Sequence, residues 1–142
     1  MHLLCSYLVR LLSLNLLKGH QGEVYTTKFS KCGDFLASAG FDRNILLWDV
    51  FHPEAKNVAC LKGHKNTILD VCWDIEATCL FSCAADKTVT MWDTVESQMI
   101  KRFKGHTKSV NSIDGSKRSG GLLVSGSDDC KIKIWDTRSK SC

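Results

Sequence analysis

His64, Ser82 and Asp86 are the residue types of a nucleophilic triad: a hydroxyl to attack, an imidazole to take its proton and a carboxylate to orient the ring. The same types recur as His20, Ser38 and Asp42, and again as His106, Ser125 and Asp129. A tryptophan closes each set (Trp48, Trp92, Trp135), with the Ser ten and the Asp six residues before it every time. An enzyme needs one such site, whereas three sets in register mark a structural unit written three times. The set therefore reads as a hydrogen-bond network repeated in every unit, and catalysis is not expected of it.

Other chemistry is sparse. The sequence has no Gly-rich phosphate loop, no HExxH and no nucleophile elbow, and Gly120-Gly121 reads as a turn. Eight cysteines (Cys5, Cys32, Cys60, Cys72, Cys79, Cys83, Cys130, Cys142) include no CxxC pair. They form no secreted disulfide framework and read as reduced thiols of an intracellular protein, several of them small apolar fillers in strands. Cys60 with His64, or Cys79 with Cys83, would supply half of a tetrahedral metal site, but no second pair completes it. No metal or cofactor is expected.

The elements that position these residues follow from the repeat. Each unit begins at a Gly-His pair (Gly19-His20, Gly63-His64, Gly105-His106) and has an Asp in a polar turn before its closing Trp-Asp. The tryptophans are 44 and 43 residues apart, and the histidines 44 and 42. Short apolar runs alternate with polar turns, which predicts strands and no helix. First strands are expected at 24–29, 68–73 and, less clearly patterned, 110–113; second strands at 35–39, 80–84 and 122–126. Third strands are expected at 45–48, 89–92 and 132–135, and fourth strands at 57–61 and 98–103. Hydrophobic content of 44% and a single proline argue against disorder.

Units of this design resemble WD40 repeats, and the resemblance covers residues 19 to 138. It implies an all-β fold, a β-propeller whose blades are four-stranded antiparallel sheets around a channel. It also implies that each turn Asp bonds its His and that contacts run through the Ser to the Trp indole. The expected organisation is a hydrophobic leader, 1–18, then repeats at 19–61, 62–104 and 105–142, the last ending before its fourth strand. Three units do not close a ring of ~4–8 blades. The chain is thus expected to be a fragment of a longer propeller, with bare blade faces and a tendency to self-associate.

The leader is the least patterned segment. Leu3, Leu4, Tyr7, Leu8, Leu11 and Leu12 fall at helical spacing, while Leu12, Leu14 and Leu16 alternate as in a strand, expected over 12–17. It is too short to span a bilayer and carries Arg10, so no membrane association is expected.

Propellers bind through rims and loops, so partners are sought among loop charges. Residues 101 to 142 hold ten Lys and Arg against four Asp, while the first hundred residues are net negative by two. Lys101, Arg102, Lys104, Lys108, Lys117, Arg118 and Arg138 are the candidate partner-binding residues, for an acidic protein or, less directly, RNA. Strings such as Ser38-Ala39-Gly40-Phe41-Asp42-Arg43, Ile45-Leu46-Leu47-Trp48 and Asp86-Lys87-Thr88-Val89 are similar to the splicing branch of the family, found in the U5 small nuclear ribonucleoprotein. That resemblance implies a nuclear, non-catalytic scaffold contacting other spliceosomal subunits. Trp135-Asp136-Thr137-Arg138 also fits the Trp-Asp-x-Arg pattern of WD40 substrate receptors of cullin-type ubiquitin ligases.

Overall fold

The computed structural model describes residues 16–52, 55–118 and 121–139. Eleven strands form three antiparallel sheets in chain order, and the described residues contain no helix. The first sheet is β1 (Val24–Phe29), β2 (Phe35–Gly40), β3 (Asn44–Asp49) and β4 (Lys56–Lys62), each paired with the next. The second repeats the plan with β5 (Ile68–Trp73), β6 (Cys79–Ala84), β7 (Thr88–Asp93) and β8 (Gln98–Lys104). In the third, β9 (Val110–Gly115), β10 (Leu122–Ser127) and β11 (Ile132–Asp136) pair in the same order. These are three blades of a partial propeller whose ring is not closed. β9 runs two residues past Ile113, to Gly115, into the stretch from Asp114 to Ser119 whose sequence is poorly patterned.

Register repeats along with topology. Leu36 faces Trp48, Leu80 faces Trp92 and Leu123 faces Trp135 across the second and third strands of their blades. Side chains alternate between the two faces of a strand, and the burial of each blade shows which faces are covered. β6 is buried over almost its whole length, because the middle blade is packed on both sides. β11 alternates exposed and half-buried positions, because it is covered on one side only.

The core consequently lies in the seams between blades. Ala37, Ala39, Ile45, Leu47 and Leu61 of the first blade meet Ile68, Val71, Leu80, Ala84 and Trp92 of the second. Phe81, Cys83, Val89 and Phe103 of the second meet Val110, Ile113 and Leu123 of the third, with Trp135 packed against them. Each large aliphatic side chain withdrawn from water here contributes roughly 1.5–3 kcal/mol. Polar bonds cross the first seam too: the Thr26 hydroxyl donates to Asp70 Oδ1 at 3.0 Å, and the Trp73 indole to the Lys28 carbonyl at 2.8 Å. The inner strands of neighbouring blades thus run side by side in the same direction.

The outer face of the third blade shows the same side-chain pattern without a cover. Ile132 and Ile134 are 78% and 74% exposed, although their counterparts Ile45 and Leu47 are buried.

The leader differs from expectation in its described part. Leu16 and Leu17 are not in a strand, and Leu16 is exposed; residues 12–15 and the helically spaced leucines before them lie outside the described residues. In the later units the equivalent segment, β4 or β8, pairs with the third strand of the sheet before it. Among the described residues no sheet stands before β1 to offer such an edge. No helix among the described residues is long and apolar enough to cross a membrane.

Candidate functional site

In each blade the polar turn between the second and third strands closes on itself first. The amides of Arg43, Lys87 and Cys130 donate to the carbonyls three residues earlier, Gly40, Ala84 and Ser127. These three residues take left-handed φ angles of 64°, 70° and 63°. The turn aims the Asp before it at the Gly-His loop. Asp42 Oδ1 then accepts from the Asn44 amide at 3.2 Å, while Oδ2 accepts from the Gln21 amide at 3.0 Å and from His20 Nδ1 at 2.8 Å. Asp86 does the same with Thr88, Lys65 and His64, and Asp129 with Lys131, Thr107 and His106.

The other ring nitrogen continues the chain. His20, His64 and His106 place Nε2 2.7, 2.7 and 2.9 Å from the hydroxyls of Ser38, Ser82 and Ser125. The indoles of Trp48, Trp92 and Trp135 donate to the same hydroxyls at 2.8, 2.7 and 2.8 Å. For a neutral imidazole the donor count fixes the direction of every bond. A carboxylate only accepts, so Nδ1 carries the proton and Nε2 keeps a lone pair; the Ser O–H donates to that lone pair and its oxygen accepts the indole N–H. Every donor in the chain then has an acceptor.

A glycine before each His follows from the same packing. A Cβ on Gly63 or Gly105 would sit 3.1 Å from the indole Cη2 of Trp92 or Trp135, and one on Gly19 3.0 Å from that of Trp48. A side chain there would push the ring edge away by a few tenths of an ångström, so glycine gives the closest fit.

The electrostatics agree with a tight clasp. Burial alone would raise the pKa of Asp86, but hydrogen bonds from His64, Thr88 and the Lys65 amide outweigh it and hold the carboxyl well below its usual range. Asp42 and Asp129 are likewise lowered against the effect of burial, chiefly by the amides of Gln21 and Thr107 and by their His partners. Ser82 and Ser125 are 0% and 1% exposed, so an incoming substrate has no path to either hydroxyl.

The candidate partner-binding residues do not form one patch. Lys104 and Lys108 are exposed beside the third Gly-His, but β9 then carries the chain to the far end of the blade, where Lys117 and Arg118 lie. Lys117 there lines a cleft of about 640 Å³ with Lys28, Trp73, Asp74 and Asp114. Lys101 and Arg102 point to opposite faces of β8. The Lys101 ammonium lies over the Phe103 ring and donates to the Ser139 carbonyl, while Arg102 Nη2 donates to the Gly63 carbonyl at 2.6 Å. Arg138 forks onto Asp136 with two 3.1 Å bonds. Proximity in sequence misled because one strand crosses the whole blade.

Cys72 and Cys83 are buried seam residues, and burial pushes the Cys72 thiol up to about 12. Cys32, Cys60 and Cys130 are exposed, so the filler reading does not extend to them. Among the described residues no three His, Cys, Asp or Glu side chains converge on a common point.

Asp70 is the residue the sequence did not single out. Its carboxylate takes the Thr26 hydroxyl from the first blade and the Ile113 amide, at 3.3 Å, from the third, so it touches all three inner strands. A signal was present: Thr26, Asp70 and Ser112 each stand six residues after their histidine.

Comparison with known proteins agrees with this geometry. The WD40 family (WD domain, G-beta repeat) matches residues 11–49, 55–93 and 97–136. The chain is 47% identical over 126 residues to the U5 small nuclear ribonucleoprotein 40 kDa protein of Homo sapiens, covering 89% of this chain and 35% of that protein. It is 43% identical over 122 residues to the protein of the same name from Dictyostelium discoideum, covering 86% and 34%. To the pre-mRNA-splicing factor cwf17 of Schizosaccharomyces pombe it is 42% identical over 124 residues, covering 87% and 36%. The chain spans about a third of the length of these relatives. With three Gly-His, Asp and Trp-Asp units, each carrying the same buried clasp, the chain belongs to the WD40 family.

Proposed function

We propose that this chain is part of a non-catalytic, nuclear protein-interaction scaffold of the pre-mRNA splicing machinery, with other spliceosomal proteins as its partners. The observation that carries the non-catalytic reading is the state of the three serines. Each has the Asp-His-Ser connectivity of a triad, yet its oxygen is buried and already accepts an indole N–H. A nucleophile needs a hydroxyl that a substrate can reach, so the set serves to lock a loop onto a turn. The splicing role is supported by the similarity to two named splicing proteins over most of this chain.

The repeats are proposed to run 19–61, 62–104 and 105–142 after a leader, 1–18. RNA contact, on this reading, is indirect. Epitope-tagged protein captured from nuclear extract should bring down splicing proteins, and microscopy should place it in the nucleus. Recovery of a ubiquitin-ligase adaptor in their place would replace the splicing reading with that of a substrate receptor.

A further inference from the structure

We propose that the Gly-His end of the three blades is a cationic platform that binds an extended acidic segment of a partner protein. The inference rests on the scaffold reading above and adds a surface and a ligand chemistry to it. Parallel inner strands and identical blade topology bring three Gly-His loops and three Asp turns to one end of the fold. The residue before each Gly-His is a lysine, Lys18, Lys62 or Lys104, and all three are exposed. Lys65 and Lys108 add two more from the loops, and the turns contribute Arg43, Lys87 and Lys131, again exposed.

Carboxylates at this end offset only part of that charge. Asp42, Asp86 and Asp129 have side chains only 6%, 8% and 4% exposed and face their histidines. The exposed acids there are Glu23 and Asp128, the latter accepting from Asn111, so eight exposed cations stand against five carboxylates in all. The opposite end is mixed, with Asp34, Asp49, Asp74, Glu76, Asp93 and Glu96 set among exposed Lys31, Lys56, Lys117, Arg118 and Arg138 in its loops and strand ends. The Gly-His end is therefore where cations are in clear excess, and a polyanion is steered to it.

Acidic protein is favoured over RNA by what accompanies the lysines. Single-strand RNA platforms interleave stacking aromatics with basic residues. Here only the first blade offers exposed rings, Phe41 and Tyr25, and the other two blades have Ala85 or Asp128 and Leu69 or Asn111 at those positions. Seven of these eight cations are Lys, point charges suited to flexible carboxylates, with a single Arg fork.

The test is fluorescence anisotropy with a short labelled Glu/Asp peptide and, separately, a single-stranded RNA of equal charge. The peptide should bind with a steep salt dependence, and Lys62→Gln/Lys65→Gln/Lys104→Gln should weaken it on the order of tenfold. Lys117→Gln/Arg118→Gln, at the far end, should leave binding unchanged, and Arg43→Gln/Lys87→Gln should weaken it with the thermal midpoint preserved. Equal losses in near-end and far-end variants, or no peptide binding, would overturn the platform. Tighter RNA binding through the same lysines would overturn the choice of partner. Either result stands apart from the splicing assignment, which the nuclear capture tests.

Discussion

Thr26 and Asp70, 44 residues apart in the chain, meet across the first seam with the Thr26 hydroxyl 3.0 Å from Asp70 Oδ1. The other carboxylate oxygen reaches the Ile113 amide of the third blade, so one side chain ties three inner strands together. Apolar packing in the seams is non-directional, and this carboxylate supplies the register that packing alone lacks.

Asp70→Ala should therefore destabilise the fold by about 1–3 kcal/mol, since it strands a buried hydroxyl and an amide. Thr26→Val, which removes one bond and keeps the shape, should cost less. Hydrogen exchange is the sharper readout, because the Ile113 amide should lose protection in Asp70→Ala while β7 amides keep theirs. Unchanged exchange at Ile113 would mean that the seam does not depend on this bond.

Acid should open the clasps from a defined pH. Asp42, Asp86 and Asp129 have folded-state pKa values below their usual value of 3.8, so their contribution is full above about pH 4 and is lost as pH falls through the depressed folded values. A denaturation series between pH 5 and 2, limits set by about two units around the carboxylate range, should show stability falling throughout the acid limb. Asp86→Asn should flatten part of that limb by removing one titrating group.

Ala77 has a left-handed φ of 58° in the turn after β5. A Cβ in that region costs roughly 1–2 kcal/mol, partly offset by the ~0.5–1 kcal/mol of extra chain entropy that glycine loses on folding. Ala77→Gly should thus raise stability by up to about 1 kcal/mol, seen as a higher urea midpoint with an unchanged slope. A lower midpoint would show that the Ala77 methyl, which lines the groove with Phe35 and Val95, packs more favourably than the turn is strained.

The local plan of this fold was legible because each landmark has a local cause. Trp48, Trp92 and Trp135 end apolar runs, the turn Asp precedes a left-handed position, and the glycine before each His fits closely against the indole edge. β1 and β5 coincide with the apolar runs read from sequence, and other strands extend theirs by a residue or two. What escaped was three-dimensional adjacency. Lys104 and Lys117 look like one basic cluster in sequence and stand at opposite ends of β9, while Arg43, Lys87 and Lys131 look unrelated and share one end. Asp70 escaped for the same reason, since its partners come from the strands of two other blades.

The central claim is that a buried polar clasp locks each blade, and two aspartates of the middle blade separate it from ordinary turn capping. Asp86 joins His64, the Lys65 amide and Thr88, whereas Asp93 only caps the exposed amides of Val95 and Glu96. Urea denaturation of Asp86→Ala and Asp93→Ala, followed by Trp fluorescence, should give a loss of about 1–3 kcal/mol for the first and less than about 1 kcal/mol for the second. Equal losses for the two variants would contradict the clasp.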